Sequence, residues 1–286
     1  MKTALSILAA VVIALGVQNT LFSDNTSRTV SQQPAYDRVL KTNTLRCAYA
    51  VFPHFLEKDP NTGKLSGIMP SLMEEVGKLT GLTVEWGPEI DYGDIALTLQ
   101  TGKADLFCTG IAMTPSRGRV IGGSTPVAYA PMAAYVRAND QRFDNAPDKI
   151  NNPSIKIEVN EGDFSEEIAK RFFPKATLVY RGPTGGESQL FLDVAMNKAD
   201  VTFSGPSYLS IFNTNNPDIA LRLAPFNQTI YAVPVVLAGE IREEALLRMI
   251  DVALKDIINN NVMDKLLHDA LGQDYAVAYF PPKKDI

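Results

Sequence analysis

Histidine and cysteine are scarce, two of each in 286 residues. No close Cys/His spacing exists, which argues against a metal site. Neither His54 nor His268 has a Ser or Cys partner in a recognisable nucleophile setting, so triad chemistry has no support. Blocks of like charge are missing too: the net charge of −5 is spread along the chain, and the electrostatic footprint of a nucleic-acid binder is absent. No run reaches the roughly 20 apolar residues that a membrane-spanning helix needs. What is left is an ordinary globular composition, 45% apolar and 21% charged, long enough for one large or two medium domains.

The N-terminus carries a different signal. Lys2 precedes the uncharged run "ALSILAAVVIALGV", and polar residues follow. A positive start, a short apolar core and small residues at Ala14-Leu15-Gly16 predict an export signal over 1–22, with an uncleaved anchor as the alternative. Residues 23–38 are polar and without periodicity, and read as a linker. In an oxidising compartment Cys47 and Cys108 could pair. Both sit in strand-like apolar runs, "LRCAYAV" and "DLFCTG", where small buried thiols are common. Two buried unpaired cysteines are therefore expected.

A short element occurs twice. "GKADLFCTG" at 102–110 has a near copy, "NKADVTFSG", at 197–205, each following a helix-like segment. Around each copy the chain runs strand, helix, strand, helix, strand, so the pattern predicts two α/β lobes of similar design, each with a mostly parallel sheet. Met69, Leu72, Val76 and Leu79 recur at helical spacing, and Gly81 closes that helix. "IYAVPVVLAG" then returns as a strand, and two amphipathic helices follow, with Leu246, Met249, Ile250, Ala253 and Ile257 on one face. The expected layout is one lobe from 39–136 and 235–286 and a second from 137–234. Two crossings near 135–139 and 230–236 would form a hinge over a cleft.

The strongest local signal for chemistry is "CTGIAMTPSRGRV". Here a strand ends, small residues expose backbone, and Thr114 and Pro115 fit the cap and first position of a helix. That would put Arg117 in the first turn, where its planar fork suits a carboxylate. A surface arginine paired with a nearby acid is the plainer reading.

From about 40 to 275 the chain resembles the family 3 extracellular solute-binding proteins, receptors of ABC importers for polar amino acids. The resemblance rests on "GKLSG" (63–67), "LQTGKADL" (99–106), "MTPSR" (113–117), "VNEG" (159–162) and "NKADV" (197–201), in order and at the family's spacing. It implies the type II periplasmic binding fold: two α/β lobes with mixed sheets and a two-crossing hinge. It implies that Arg117 holds a ligand carboxylate, that Thr109, Gly110 and Ala112 offer backbone and hydroxyl groups, and that Thr114 belongs to the same ligand-binding set. Phe52, Phe55 and Tyr92 would form walls. The second lobe departs from the family. Gly205 stands where an Asp usually clamps the ligand's ammonium, and Gly162-Asp163 stands where Gly-Thr is usual. Asp163, beside Phe164, is either a relocated clamp or only the cap of a helix, since "DFSE" fits a capping box.

The function implied is a monomeric periplasmic receptor for a small carboxylate-bearing solute, amino acid or amino-acid-like, delivered to an ABC-type membrane permease. No cofactor, metal, catalytic residue or nucleic acid is expected. The alternatives are a sensory or accessory ligand-binding module, or an enzyme resembling cyclohexadienyl dehydratases, with Glu166 or Asp163 as the acid.

Overall fold

The computed structural model describes residues 34–182, 186–205, 207–226 and 231–272, so the expected export signal and most of the expected linker lie outside it. The last part of that linker is corrected: Ala35–Thr42 form a helix, α1. Glu243 receives the N–H groups of Ala35 and Tyr36 at 2.6 and 3.2 Å, satisfying two of the donors that a helix start leaves unpaired.

The first lobe then runs β1 (Thr44–Tyr49), β2 (Glu57–Lys58), β3 (Leu65–Ser66), α2 (Ile68–Thr80), β4 (Thr83–Glu89), α3 (Ile95–Gln100), β5 (Leu106–Ala112) and β6 (Ile121–Gly123). After β7 (Ala128–Arg137) come β8 (Lys156–Asn160), α4 (Phe164–Phe172), β9 (Thr177–Arg181), α5 (Gly186–Ala195), β10 (Val201–Ser204), α6 (Ser207–Asn215) and β11 (Leu221–Leu223). The chain returns through β12 (Tyr231–Glu240) to α7 (Glu244–Asn259) and α8 (Val262–Leu271). Leu246, Ile250, Ala253 and Ile257 of α7 are buried, and α7 and α8 both pack on α2 of the first lobe.

The strand order, β4-β1-β5-β12-β7-β10-β8-β9, is close to a mirror image about its middle. On one side β1 lies parallel between β4 and β5. On the other, β8 lies parallel between β9 and β10. Between the triplets β12 and β7 pair antiparallel, Tyr231 opposite Met132 through Val235 opposite Ala128. These two strands are the crossings. Beyond Met132 the first crossing already belongs to the second lobe, because Ala133, Ala134 and Tyr135 pair with Ser204, Phe203 and Thr202 of β10. It therefore lies upstream of 135–139, where the sequence pattern had placed it.

The repeated Lys-Ala-Asp element has a structural role in both lobes. Gly102 and Asn197 each take a positive φ, +63° and +60°, at the end of the preceding helical segment, the usual left-handed exit. Three residues on, each Asp reaches across to the first strand of its lobe. Asp105 Oδ2 accepts the N–H of Arg46 at 2.7 Å, and Asp200 Oδ2 accepts that of Lys156 at 2.9 Å. Each Asp also gathers two arginines, Arg38 and Arg46 at Asp105, Arg137 and Arg142 at Asp200. Both copies are brackets that fix a strand to its parallel neighbour.

The expectation of unpaired cysteines is overturned. Cys47 and Cys108 form a disulfide, with Cα atoms 5.5 Å apart, inside the normal span of such bonds. The cause is topological. β5 lies directly beside β1 with Leu106 opposite Cys47, which brings Cys108 into reach two residues later. An apolar run around each cysteine, read locally, carries no information about which strands become neighbours.

Candidate functional site

Where β5 ends, the chain has little freedom. Gly110 has φ +92°, and a Cβ there would sit 2.9 Å from Val235 Cγ1, so this close approach of β5 to β12 needs glycine. Thr109 is buried, and its hydroxyl both donates to Ala50 O (2.8 Å) and accepts from Ala50 N (2.9 Å). That hydroxyl secures the end of β1. Its one proton is engaged, so the expected offer of a hydroxyl donor to a ligand is not met at Thr109.

No α-helix begins at Thr114. Residues Arg117–Arg119 make a single 3-10 turn behind Ser116, and β6 starts at Ile121, which leaves no length for a helix. Thr114 still acts on Arg117: its Oγ1 accepts the Arg117 N–H at 3.3 Å and its carbonyl accepts from Gly118 at 3.0 Å. It braces the turn and does not line the cavity. The Arg117 guanidinium turns back over the strand end, donating from Nη1 to Ala112 O at 2.7 Å.

A cavity of about 160 Å³ opens in front of this guanidinium. It is lined by Phe52, Phe55, Tyr92, Thr109, Gly110, Ala112 and Arg117 from the first lobe and by Asp163, Phe164 and Gly205 from the second. Every site residue expected from the sequence, Thr114 apart, meets here. His54 is exposed and His268 lies on the surface of α8; neither lines the cavity. Phe52 is the hub of the aromatic wall, edge-on to Phe55, Tyr92 and Tyr208 at ring-centroid distances of 5.9, 6.5 and 5.7 Å. The Tyr208 contact comes from α6, so rings from both lobes close one end of the cleft.

The acidic side is built by helix starts. Asp163 caps α4, its Oδ1 accepting the N–H of Phe164 at 2.7 Å, and the same oxygen lies 3.9 Å from Arg117 Nη2. Its carboxyl is raised from the usual range by burial, against the pull of the Phe164 N–H and of Arg117. The capping box is displaced by one residue, since Glu166 reaches the N–H of Gly162 at 2.7 Å. Glu166 also pairs with Lys170 at 2.5 Å. Although burial opposes it, these contacts hold Glu166 below the ordinary range. It lies outside the cavity lining, so its expected candidacy as an acid is corrected.

Glu187, on the first turn of α5, carries no signal in the sequence. It lines the cavity, and its Oε2 accepts from the Ser204 hydroxyl at the end of β10. Burial pushes its carboxyl up to about 8; Ser204 opposes the rise, Asp163 adds to it and Arg117 opposes it. An acid in a helix's first turn is so common that nothing in "GGESQ" sets it apart. Met132, Ala130 and Val235 of the crossing strands complete the apolar lining. The result is one guanidinium and two carboxylates lining one cavity, with aromatic and aliphatic walls. Opposite charges set among apolar walls are the elements from which small-molecule sites are built.

Residues 46–273 match the bacterial extracellular solute-binding proteins, family 3. The chain is 24% identical over 211 residues to the amino-acid-binding protein AabA of Dichelobacter nodosus, covering 71% of this chain and 78% of that protein. A solved structure of the ancestral amino-acid-binding protein AncCDT-1, a precursor of cyclohexadienyl dehydratase, aligns at 25% identity with a TM-score of 0.61, over 82% of this chain and 97% of its own. An ancestral arginine-binding protein bound to glutamine aligns at 25% identity with a TM-score of 0.59, over 81% and 99%.

Proposed function

The chain belongs to the bacterial extracellular solute-binding proteins, family 3, and from that premise we propose that it captures an amino acid or a close derivative between its lobes. The solute's carboxylate lies on Arg117 and its ammonium beside Asp163, with Phe52, Tyr92 and Tyr208 covering its carbon skeleton. The observation that carries this reading is the Arg117 guanidinium, lining a cavity between the lobes and standing 3.9 Å from an acid on the opposite lobe. A cavity of about 160 Å³ is small beside the roughly 300–1,000 Å³ of drug-sized pockets, which suits a single amino acid. The two lobes close over the solute by bending at the crossing strands β7 and β12, and the closed form is presented to an ABC-type importer. The residues at 1–22 direct export to the periplasm, where the protein acts as a monomer.

A thermal-shift panel of amino acids and their derivatives tests this. The cognate solute at 100 times its dissociation constant stabilises by about 2.7 kcal/mol, and a panel without any shift removes the proposal. Asp163→Asn keeps the shape of the cap and deletes the charge. It is expected to cost about 1.5–3 kcal/mol of solute affinity, more than tenfold by titration calorimetry. Unchanged affinity would reduce Asp163 to a helix cap.

One observation favours a second reading. Glu187 lines the same cavity as the Arg117 guanidinium with its carboxyl pushed up to about 8 by burial, and a carboxyl of that kind suits proton donation to a leaving hydroxyl. Incubation with prephenate or arogenate, followed for phenylpyruvate or phenylalanine, tests this; the receptor reading expects neither product.

A further inference from the structure

Glu187 is more than the capture of a simple zwitterion requires. Arg117 and Asp163 already provide one positive and one negative group, and Asp163 is engaged by the Phe164 N–H and by Arg117. Glu187 adds a second carboxylate to the same cavity. Among the described residues Ser204 is its hydrogen-bond donor, and no lysine or arginine is paired with it. Ser204 is fully buried, so one carboxylate oxygen is fixed to the floor of the second lobe while the carboxyl group borders the cavity. The neighbouring position leaves room for an occupant: a Cβ added at Gly205 would meet nothing nearer than the Met132 methyl at 3.7 Å, and its φ is not one that demands glycine.

The charges decide what this second acid is for. With both acids ionised the cavity holds two negative charges and one positive, complementary to a solute with one carboxylate and two cationic groups. With Glu187 neutral the balance matches a zwitterion. We propose, on the receptor reading above, that Glu187 is a second cation-binding carboxylate of the cleft, admitting solutes with one carboxylate and two positive groups and giving up a proton as they bind.

The groups acting on Glu187 are the Ser204 hydroxyl from β10, Asp163 from the cap of α4 and Arg117 from the turn after β5; Tyr92 and Tyr208 line the same cavity. Burial makes the empty site hold the proton, and Asp163 strengthens that hold. A ligand cation seated against the carboxylate reverses it. Capture of a dibasic solute below pH 8 is therefore linked to release of one proton, while capture of a zwitterion is not.

The test uses L-arginine and L-glutamine as probes, titrated calorimetrically between pH 6 and pH 8 in buffers of different ionisation enthalpy. Arginine affinity is expected to rise about tenfold per pH unit, the limit for one linked proton, with a buffer-dependent heat that reports its release. Glutamine should show neither effect. In Glu187→Gln the slope and the buffer dependence for arginine should both vanish. A second readout needs no ligand. A carboxyl raised in the fold from 4.5 to about 8 makes the empty protein lose stability as pH rises across that window, because the unfolded chain ionises first. This slope should flatten in Glu187→Gln, whose cooperative melting also shows that it folds. Arginine binding without proton release, or a slope that survives in the variant, overturns the role of Glu187 and leaves the receptor intact. Failure of both probes, and of every amino acid in the panel, overturns the receptor reading itself.

Discussion

Arg117→Ala is expected to abolish practical capture of the solute. The guanidinium gives one N–H to Ala112 O and stands 3.9 Å from Asp163, so most of its five donors are left for a carboxylate in the cavity. Truncating one partner of a desolvated charge pair costs roughly 2–5 kcal/mol, which raises a dissociation constant about thirtyfold to several thousandfold. Arg117→Lys should recover only part of this, because an ammonium lacks the planar two-pronged geometry. Titration calorimetry with the solute identified by thermal shift measures both variants. Affinity in Arg117→Ala within about threefold of the parent, under 1 kcal/mol, would mean that the carboxylate is held elsewhere.

The second large effect concerns stability. The Cys47–Cys108 bond closes a segment whose ends are 61 residues apart in sequence. The chain-entropy account assigns a loop of that size about 4 kcal/mol, or roughly 10 °C in melting temperature for a domain of this length. Cys47→Ala/Cys108→Ala should lose that amount in a denaturant melt, and a reducing agent should destabilise the parent while leaving the double variant unaffected. A parent whose midpoint is the same with and without reductant would show that the bond adds nothing. The change should also reach the cleft. Thr109 and Ala50 continue the two bonded strands and hold each other through the Thr109 hydroxyl, so loosening β1 against β5 disturbs the strand end that carries Ala112 and Arg117.

Much of this organisation is legible in the amino acids. Local periodicity marks strands and helices because each must bury one face, and the doubled Lys-Ala-Asp element reports two lobes. The Arg117 cluster is legible too, since its loop, strand end and turn are contiguous in sequence. Other features depend on which distant segments become neighbours. The disulfide needs β1 beside β5. Glu187 acquires its character from Ser204, Asp163 and Arg117, which lie 17, 24 and 70 positions away in sequence. Tyr208 matters because α6 turns it onto Phe52 of the other lobe. The turn at 114–119 misleads for the opposite reason: its cap-like sequence is genuine, but β6 follows too soon for a helix to grow.

The two aspartate brackets sit where the parallel strands begin, whereas the cavity lies at the other side, where they end. The clamps between strands and the cavity are thereby placed at opposite ends of the same strands. Glycine at 205 is not dictated by its backbone, and a Cβ there would meet only the Met132 methyl, at an ordinary 3.7 Å. A substitution there touches neither Asp105 nor Asp200, so a strand tip at the cavity can change without unpinning the opposite end of its strand.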